Sequence, residues 1–121
     1  MEWAFIALIA VVALACIFLR WPGRISVNEA HKCLSKGALV VDVRTPAEFN
    51  MRHLPAAINL PVDRIETTLP PRVREKNQPI LLHCRTGRRS AAAMKKLNAI
   101  GYMNVYNLGS YTRAERIVGS T

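Results

Sequence analysis

The sequence predicts an α/β protein: a parallel sheet flanked by helices on both faces, preceded by one transmembrane helix. Two observations predict the sheet. Short apolar runs of strand length recur along the chain, and segments with helical apolar spacing separate them. A third observation predicts the helix in front. Trp3 to Leu19 is 17 residues without a polar side chain. The 121 residues leave room for one ordinary domain behind it.

The N-terminal segment comes first. A cleaved signal peptide needs a basic n-region, and Met1-Glu2-Trp3 has none. Ala13-Leu14-Ala15 imitates a cleavage site and Cys16 a lipoprotein acceptor, yet the apolar run continues through Leu19. The absence of any polar face argues against a buried core helix. Residues 3–19 therefore read as an uncleaved span of about 25 Å, short for a bilayer, with Trp3 and Trp21 as belt residues and Arg20 snorkelling. Such a span allows self-association. No Lys or Arg precedes it, while Arg20 and Arg24 follow, which puts the domain on the cytoplasmic side; the opposite orientation is the alternative.

Behind the span, Trp21-Pro22-Gly23 reads as a linker. Ser26-x-x-Glu29 reads as a capping box opening a helix with Ala30, Cys33 and Leu34 inward and Gly37 as its stop. Ala38 to Val43 is a buried strand. Thr45-Pro46 opens another helical turn, with Glu48 near its N-terminus. A short strand follows around Ile58 to Leu60. Asp63 to Glu75 is helical in part and broken by Pro70-Pro71. Ile80 to His83 is a second buried strand. Ser90 to Ile100 is a helix with Ala91, Ala92, Met94, Leu97 and Ile100 available to its inner face. Val105 to Leu108 is a further strand.

Charge and cysteines narrow the function. The chain carries a formal net charge of +9, and all 17 Lys and Arg lie at or after residue 20. That excess fits an anionic substrate, lipid headgroups or nucleic acid, but no nucleic-acid-binding motif accompanies it. The three cysteines have no CxxC spacing, so neither a disulfide framework nor a metal site is expected, and no cofactor is implied. Cys33 reads as helix core.

Cys84 is different. Strand Ile80–His83 delivers it into a loop, Arg85-Thr86-Gly87-Arg88-Arg89, that runs into a helix start. Ligands of open α/β sheets bind at the carboxyl ends of strands. Helix N-terminal N–H groups and three arginines each favour thiolate over thiol, which at an unperturbed pKa of about 8.5 ionises only slightly at neutral pH. Gly87 lets the loop adopt a left-handed conformation in which successive N–H groups converge on one point. A sulfur anion or an oxyanion fits such a cradle. His83, one residue earlier on the strand, is expected to point to the opposite face and to hydrogen-bond within the fold.

With those residues in hand, the chain from about Ile25 to Val118 resembles a single-domain rhodanese. Val41-Asp42-Val43-Arg44, Pro46, Glu48-Phe49, His53-Leu54, Ala57-Ile58-Asn59 and Leu60-Pro61 match the family's first signature. His83-Cys84-Arg85-Thr86-Gly87-Arg88-Arg89-Ser90 matches its active-site loop, and Gly101-Tyr102, Asn104-Val105 and Asn107-Leu108-Gly109 its closing strand and turn. The departures are Arg52 and Ala56 where the family usually has glycine, Ser110 at a second glycine, and no tryptophan near Ala114. The resemblance divides the chain into an anchor with its flank (1–21) and a rhodanese-like domain (22–121), at a bacterial inner membrane.

The resemblance implies sulfane sulfur transfer. Cys84 would take the outer sulfur of thiosulfate or of a persulfide and hand it to cyanide or a thiol. Arg85, Thr86, Gly87, Arg88 and Arg89 would bind the anionic donor and stabilise the persulfide, while Asp42 and Arg44 would brace the strand end. Two other classes stay open: a cysteine phosphatase or arsenate reductase, which shares the strand–cysteine loop–helix logic, and a non-catalytic rhodanese module. Four residues separate Cys84 from Arg89, where the cysteine phosphatases place five. The smaller ring is expected to suit one attacked sulfur better than a tetrahedral oxyanion.

Overall fold

The computed structural model describes residues 2–20 and 24–119. The expected linker Trp21-Pro22-Gly23 lies outside the described residues, as does the Arg20 side chain. Four strands, β1 (Leu39–Asp42), β2 (Ala57–Asn59), β3 (Ile80–His83) and β4 (Val105–Gly109), form one sheet in the order β2-β1-β3-β4. Every neighbouring pair is parallel. β1 and β3, central and wholly apolar until their last residue, pair Leu39 with Ile80 through Asp42 with His83. This is the run-type pattern of strands buried on both faces.

Helices cover both faces. The helices are α1 (Glu2–Arg20), α2 (Val27–Ser35), α3 (Pro46–Met51), α4 (Ile65–Thr68), α5 (Arg88–Ala99) and α6 (Tyr111–Val118). On one face α4 and α5 close a core of Val41, Val43, Leu82 and Cys84 with Ile65, Ala93, Leu97 and Tyr102. On the other, α2 and α6 bury Val40, Leu81 and Leu108 with Ala30, Ala114 and Ile117. Alternation along β3 therefore sends Leu82 and Cys84 one way and Leu81 the other.

Local signals account for most boundaries. Ser26 caps α2 by accepting the Glu29 N–H, although Glu29 turns to Lys32 and leaves the box half made. Thr45 and Glu48 form a complete capping box on α3, with Pro46 in its first turn. The segment after β2 is a 3-10 turn, Val62–Arg64, running into α4. In α5 the buried residues are Ser90, Ala93 and Leu97; Ala92 faces solvent. Helix α6 was not expected from the sequence. It is short, and Ser110 caps it by accepting the Arg113 N–H.

The N-terminal reading needs correction. α1 is a helix whose side chains from Glu2 to Cys16 are exposed, but among the described residues no helix is long and apolar enough to cross a membrane. The physical reason is length: 17 apolar residues rise about 25 Å, short of a hydrocarbon core of roughly 30 Å. The transmembrane span, the bacterial inner-membrane location and the two orientations derived from it fall together, and self-association through a span loses its basis.

Candidate active site

Cys84 follows the last residue of β3 and is fully buried. Its own N–H donates to Gly109 O at 3.2 Å, which fastens the start of the loop to the end of β4. The chain then turns back on itself through Gly87, at φ +97°, so that the Gly87 N–H donates to Cys84 Sγ at 2.9 Å. A side chain is excluded at Gly87 twice over. The left-handed φ strains any L-residue, and a Cβ there would stand 3.2 Å from Gly109 Cα. Gly109 is itself left-handed, at φ +94°, and a Cβ there would meet the Arg24 and Arg113 side chains.

Ser90 and Asn107 support this loop from below, and the sequence reading gave neither a role. Ser90 Oγ lies 3.4 Å from Cys84 Sγ, 3.1 Å from Gly87 O and 2.6 Å from Asn107 Oδ1. Three acceptors thus compete for one hydroxyl proton. Asn107 Oδ1 also accepts the Gly109 N–H at 2.8 Å, and its Nδ2 donates to Gly87 O at 3.1 Å. A buried asparagine in a strand therefore ties β4, the loop and the first turn of α5 together. The available signal was its polarity inside an otherwise apolar strand.

The electrostatics keep the N–H groups of the sequence expectation, add the Ser90 hydroxyl and give the arginines less weight. Burial works against the Cys84 thiolate, but the Ser90 hydroxyl and the N–H groups of Ser90, Gly87 and Thr86 outweigh it and hold the thiol below its usual value. No arginine ranks with these causes, although the Arg89 charge does interact with the sulfur. Arg85 and Arg88 are exposed at the rim, and neither forms an ion pair with another described residue. Arg89 is already engaged: its Nη1 and Nη2 donate to Glu48 Oε1 and Oε2 at 2.6 and 3.0 Å. Glu48 in turn sits at about 2, lowered first by that guanidinium and further by Thr45.

These features describe a cysteine sulfur met by backbone N–H groups at the carboxyl edge of a parallel sheet. A family model described as a rhodanese-like domain matches residues 26–114. The chain belongs to the rhodanese-like family. Among its relatives is thiosulfate sulfurtransferase PspE of Escherichia coli, 33% identical over 69 residues. That match covers 57% of this chain and 66% of the relative, so the chain spans just under two thirds of that protein. A solved rhodanese with anions from E. coli superposes with a TM-score of 0.60 at 30% identity, covering 63% of this chain and 89% of that one. The human single-domain sulfurtransferase TSTD1 shares the fold, with a TM-score of 0.66 at 24% identity over 79% of this chain and 97% of its own.

Three of the departures from the usual rhodanese signatures have defined local settings, and nothing in the structure explains Ala56. Arg52 pairs with Glu115 at 2.7 Å and lies over the Tyr111 ring at 5.0 Å, with Arg44 also against that ring at 4.8 Å. Ser110 has an ordinary φ of −72° and serves as a helix cap, which needs no glycine. Ala114 is fully buried in the α6 core.

Asp42 and Arg44 stand on the opposite face from the sulfur. Arg44 Nε reaches both carboxylate oxygens at 3.0 Å, its Nη2 reaches Oδ2 at 2.7 Å, and its backbone N–H donates to Oδ1 at 2.9 Å. Arg44 also donates to Arg52 O, at 2.6 Å, drawing the end of α3 against the strand. His83 points to this same face, with its ring edge-on to Tyr111 and Nε2 at 4.0 Å from Asp42 Oδ2. The expected hydrogen bond is absent: neither buried ring nitrogen makes one with the described residues, and burial lowers the ring's pKa, favouring the neutral form. His83 is thus not placed to act as a base for Cys84.

Proposed function

We propose that this rhodanese-like protein transfers sulfane sulfur from thiosulfate, or from a persulfide, to a thiophilic acceptor such as cyanide or a thiol. The observation that carries the reading is the Gly87 N–H aimed at Cys84 Sγ in a loop whose backbone favours the anion. In the first half-reaction the Cys84 thiolate attacks the outer sulfur of thiosulfate. The S–S bond breaks, sulfite leaves with its electron pair, and Cys84 keeps a persulfide anion. The N–H groups of residues 86–90 stabilise that charge, and Arg85 and Arg88 attract the dianionic donor. In the second half-reaction the acceptor attacks the outer sulfur and the thiolate is released. A similarity to a protein named thiosulfate sulfurtransferase supports the donor class.

Phosphoryl transfer is the competing reading. The loop places one residue fewer between cysteine and closing arginine than the phosphatases do, and that arginine is held by Glu48. The test is intact mass after thiosulfate: the chain should gain one sulfur, and Cys84→Ser should gain none while keeping its melting temperature. Serine is nearly isosteric but does not ionise, so only the covalent step is lost. Undiminished sulfur transfer in Cys84→Ser would sink the assignment.

A further inference from the structure

We propose that Glu48 is a specificity-determining residue of the loop, acting as an internal occupant of the Arg89 fork that competes for it with four-oxygen anions such as phosphate. This rests on the reading of the Cys84 loop as an anion-binding site, and it concerns which anions that loop refuses.

Arg89 is the fifth residue after Cys84 and lies in the first turn of α5. Its charge is coupled to the Cys84 sulfur as well as to Glu48. A planar guanidinium at that place is suited to clamp a phosphate or sulfate oxygen pair while N–H groups hold the rest. Here one N–H on each terminal nitrogen is taken by the two oxygens of one carboxylate, which occupies two of the five guanidinium donors and neutralises the charge.

Glu48 is itself anchored. Its Oε1 accepts from the Thr45 N–H and Oγ, each at 3.1 Å, so the capping box that starts α3 aims the carboxylate at the loop. The two side chains are about one-third exposed, 34% for Arg89 and 30% for Glu48, and therefore sit at the rim. A four-oxygen anion would have to displace Glu48 or approach it against like charge. Thiosulfate needs no such clamp, because only its outer sulfur must reach Cys84. Its sulfonate end can remain near Arg85 and Arg88.

The test uses the full chain as wild type, Glu48→Gln, Glu48→Asp and Glu115→Gln, with inorganic phosphate as the probe. Alkylation of Cys84 by iodoacetamide is followed peptide by peptide, and the phosphate concentration that halves its rate is read. Glutamine retains the capping role while releasing half of the fork. The half-protecting concentration should fall about tenfold or more in Glu48→Gln, the scale of one charge-assisted hydrogen bond. Glu48→Asp, one methylene short, should fall between that variant and wild type. Glu115→Gln removes the same charge from the Arg52 pair and should not change it.

No gain in phosphate protection in either Glu48 variant would overturn the proposal and leave the pair a structural tie. An equal gain in Glu115→Gln would overturn it as well, by making net charge the cause. Sulfur uptake from thiosulfate, read on the same samples, is independent. A chain that takes up no sulfur but gains phosphate protection on Glu48→Gln would lose the sulfurtransferase reading and keep this one.

Discussion

Two arginine–carboxylate pairs sit at the carboxyl edge of the sheet, and they differ in what surrounds them. Asp42 and Arg44 are two residues apart, and the carboxylate is fully buried with every oxygen occupied. Glu48 and Arg89 are 41 residues apart and sit at the rim. The buried pair has no access to a ligand and fixes where β1 ends. The rim pair joins two separate segments beside the sulfur, where a ligand could compete for either partner. The same chemistry is architecture in one place and selectivity in the other, and exposure decides which.

The largest expected effect breaks the buried member. Asp42→Ala leaves the Arg44 guanidinium buried without its counter-charge, which should cost about 3 kcal/mol or more in denaturant unfolding. A loss below about 1 kcal/mol would mean that Arg44 escapes to water and that the pair is not the brace described here.

Next in size is the loop between the pairs. Gly87→Ala should lose roughly 1–2 kcal/mol of stability from its left-handed backbone, together with most of the sulfur uptake, because the Gly87 N–H leaves the sulfur. Uptake unchanged from wild type would show that this N–H is dispensable.

Ser90→Ala should be milder. Removing the hydroxyl takes away the largest favourable contribution to the thiolate, so alkylation of Cys84 near neutral pH should slow roughly fivefold, the scale of one hydrogen bond. A faster reaction would mean that the hydroxyl proton stays with Asn107.

The smallest effect belongs to the rim pair's stability. Glu48 titrates lower in the folded chain than in the unfolded chain, so its contribution is present above the ordinary glutamate range. It is lost as pH falls through about 2. The melting-temperature gap between wild type and Glu48→Gln, small because the pair is part-exposed, should therefore close between about pH 4.5 and 2. A gap that widens on acidification would contradict the pairing.

Much of this was legible in the sequence. The strand Ile80–His83 is the observed β3 to the residue, because a β-branched or leucine-rich run between Pro79 and a glycine loop has few other outcomes. The loop and its glycine were legible for the same reason: turn chemistry is local. What escaped was long-range or weakly patterned. Nothing near Arg89 announces that its partner lies before β2, and Thr45-Pro46 with Glu48 reads as a helix start and a signature match but not as an ion-pair partner. Helix α6 buries Ala114, Ile117 and Val118, too few apolar positions for its period to stand out over eight residues. The N-terminal segment is apolar enough to read as a span, but its 17 residues fall short of the hydrocarbon core and no described helix qualifies. His83 shows the opposite failure: its direction follows from strand alternation, but its lack of a partner does not.

The contact between Gly87 and Gly109 bears on how this chain tolerates change. The cradle under Cys84 is main chain except for the Ser90 and Asn107 side chains beneath it, and it is locked where the Gly87 and Gly109 backbones touch. Residues 85, 86 and 88 point outward from that lock, so they can be exchanged without moving the donors. A saturation library of the loop should therefore divide sharply: positions 87 and 109 accept almost nothing, and positions 85, 86 and 88 accept much and shift the preferred donor. Selection for new chemistry has three open positions to work on and a floor it cannot disturb.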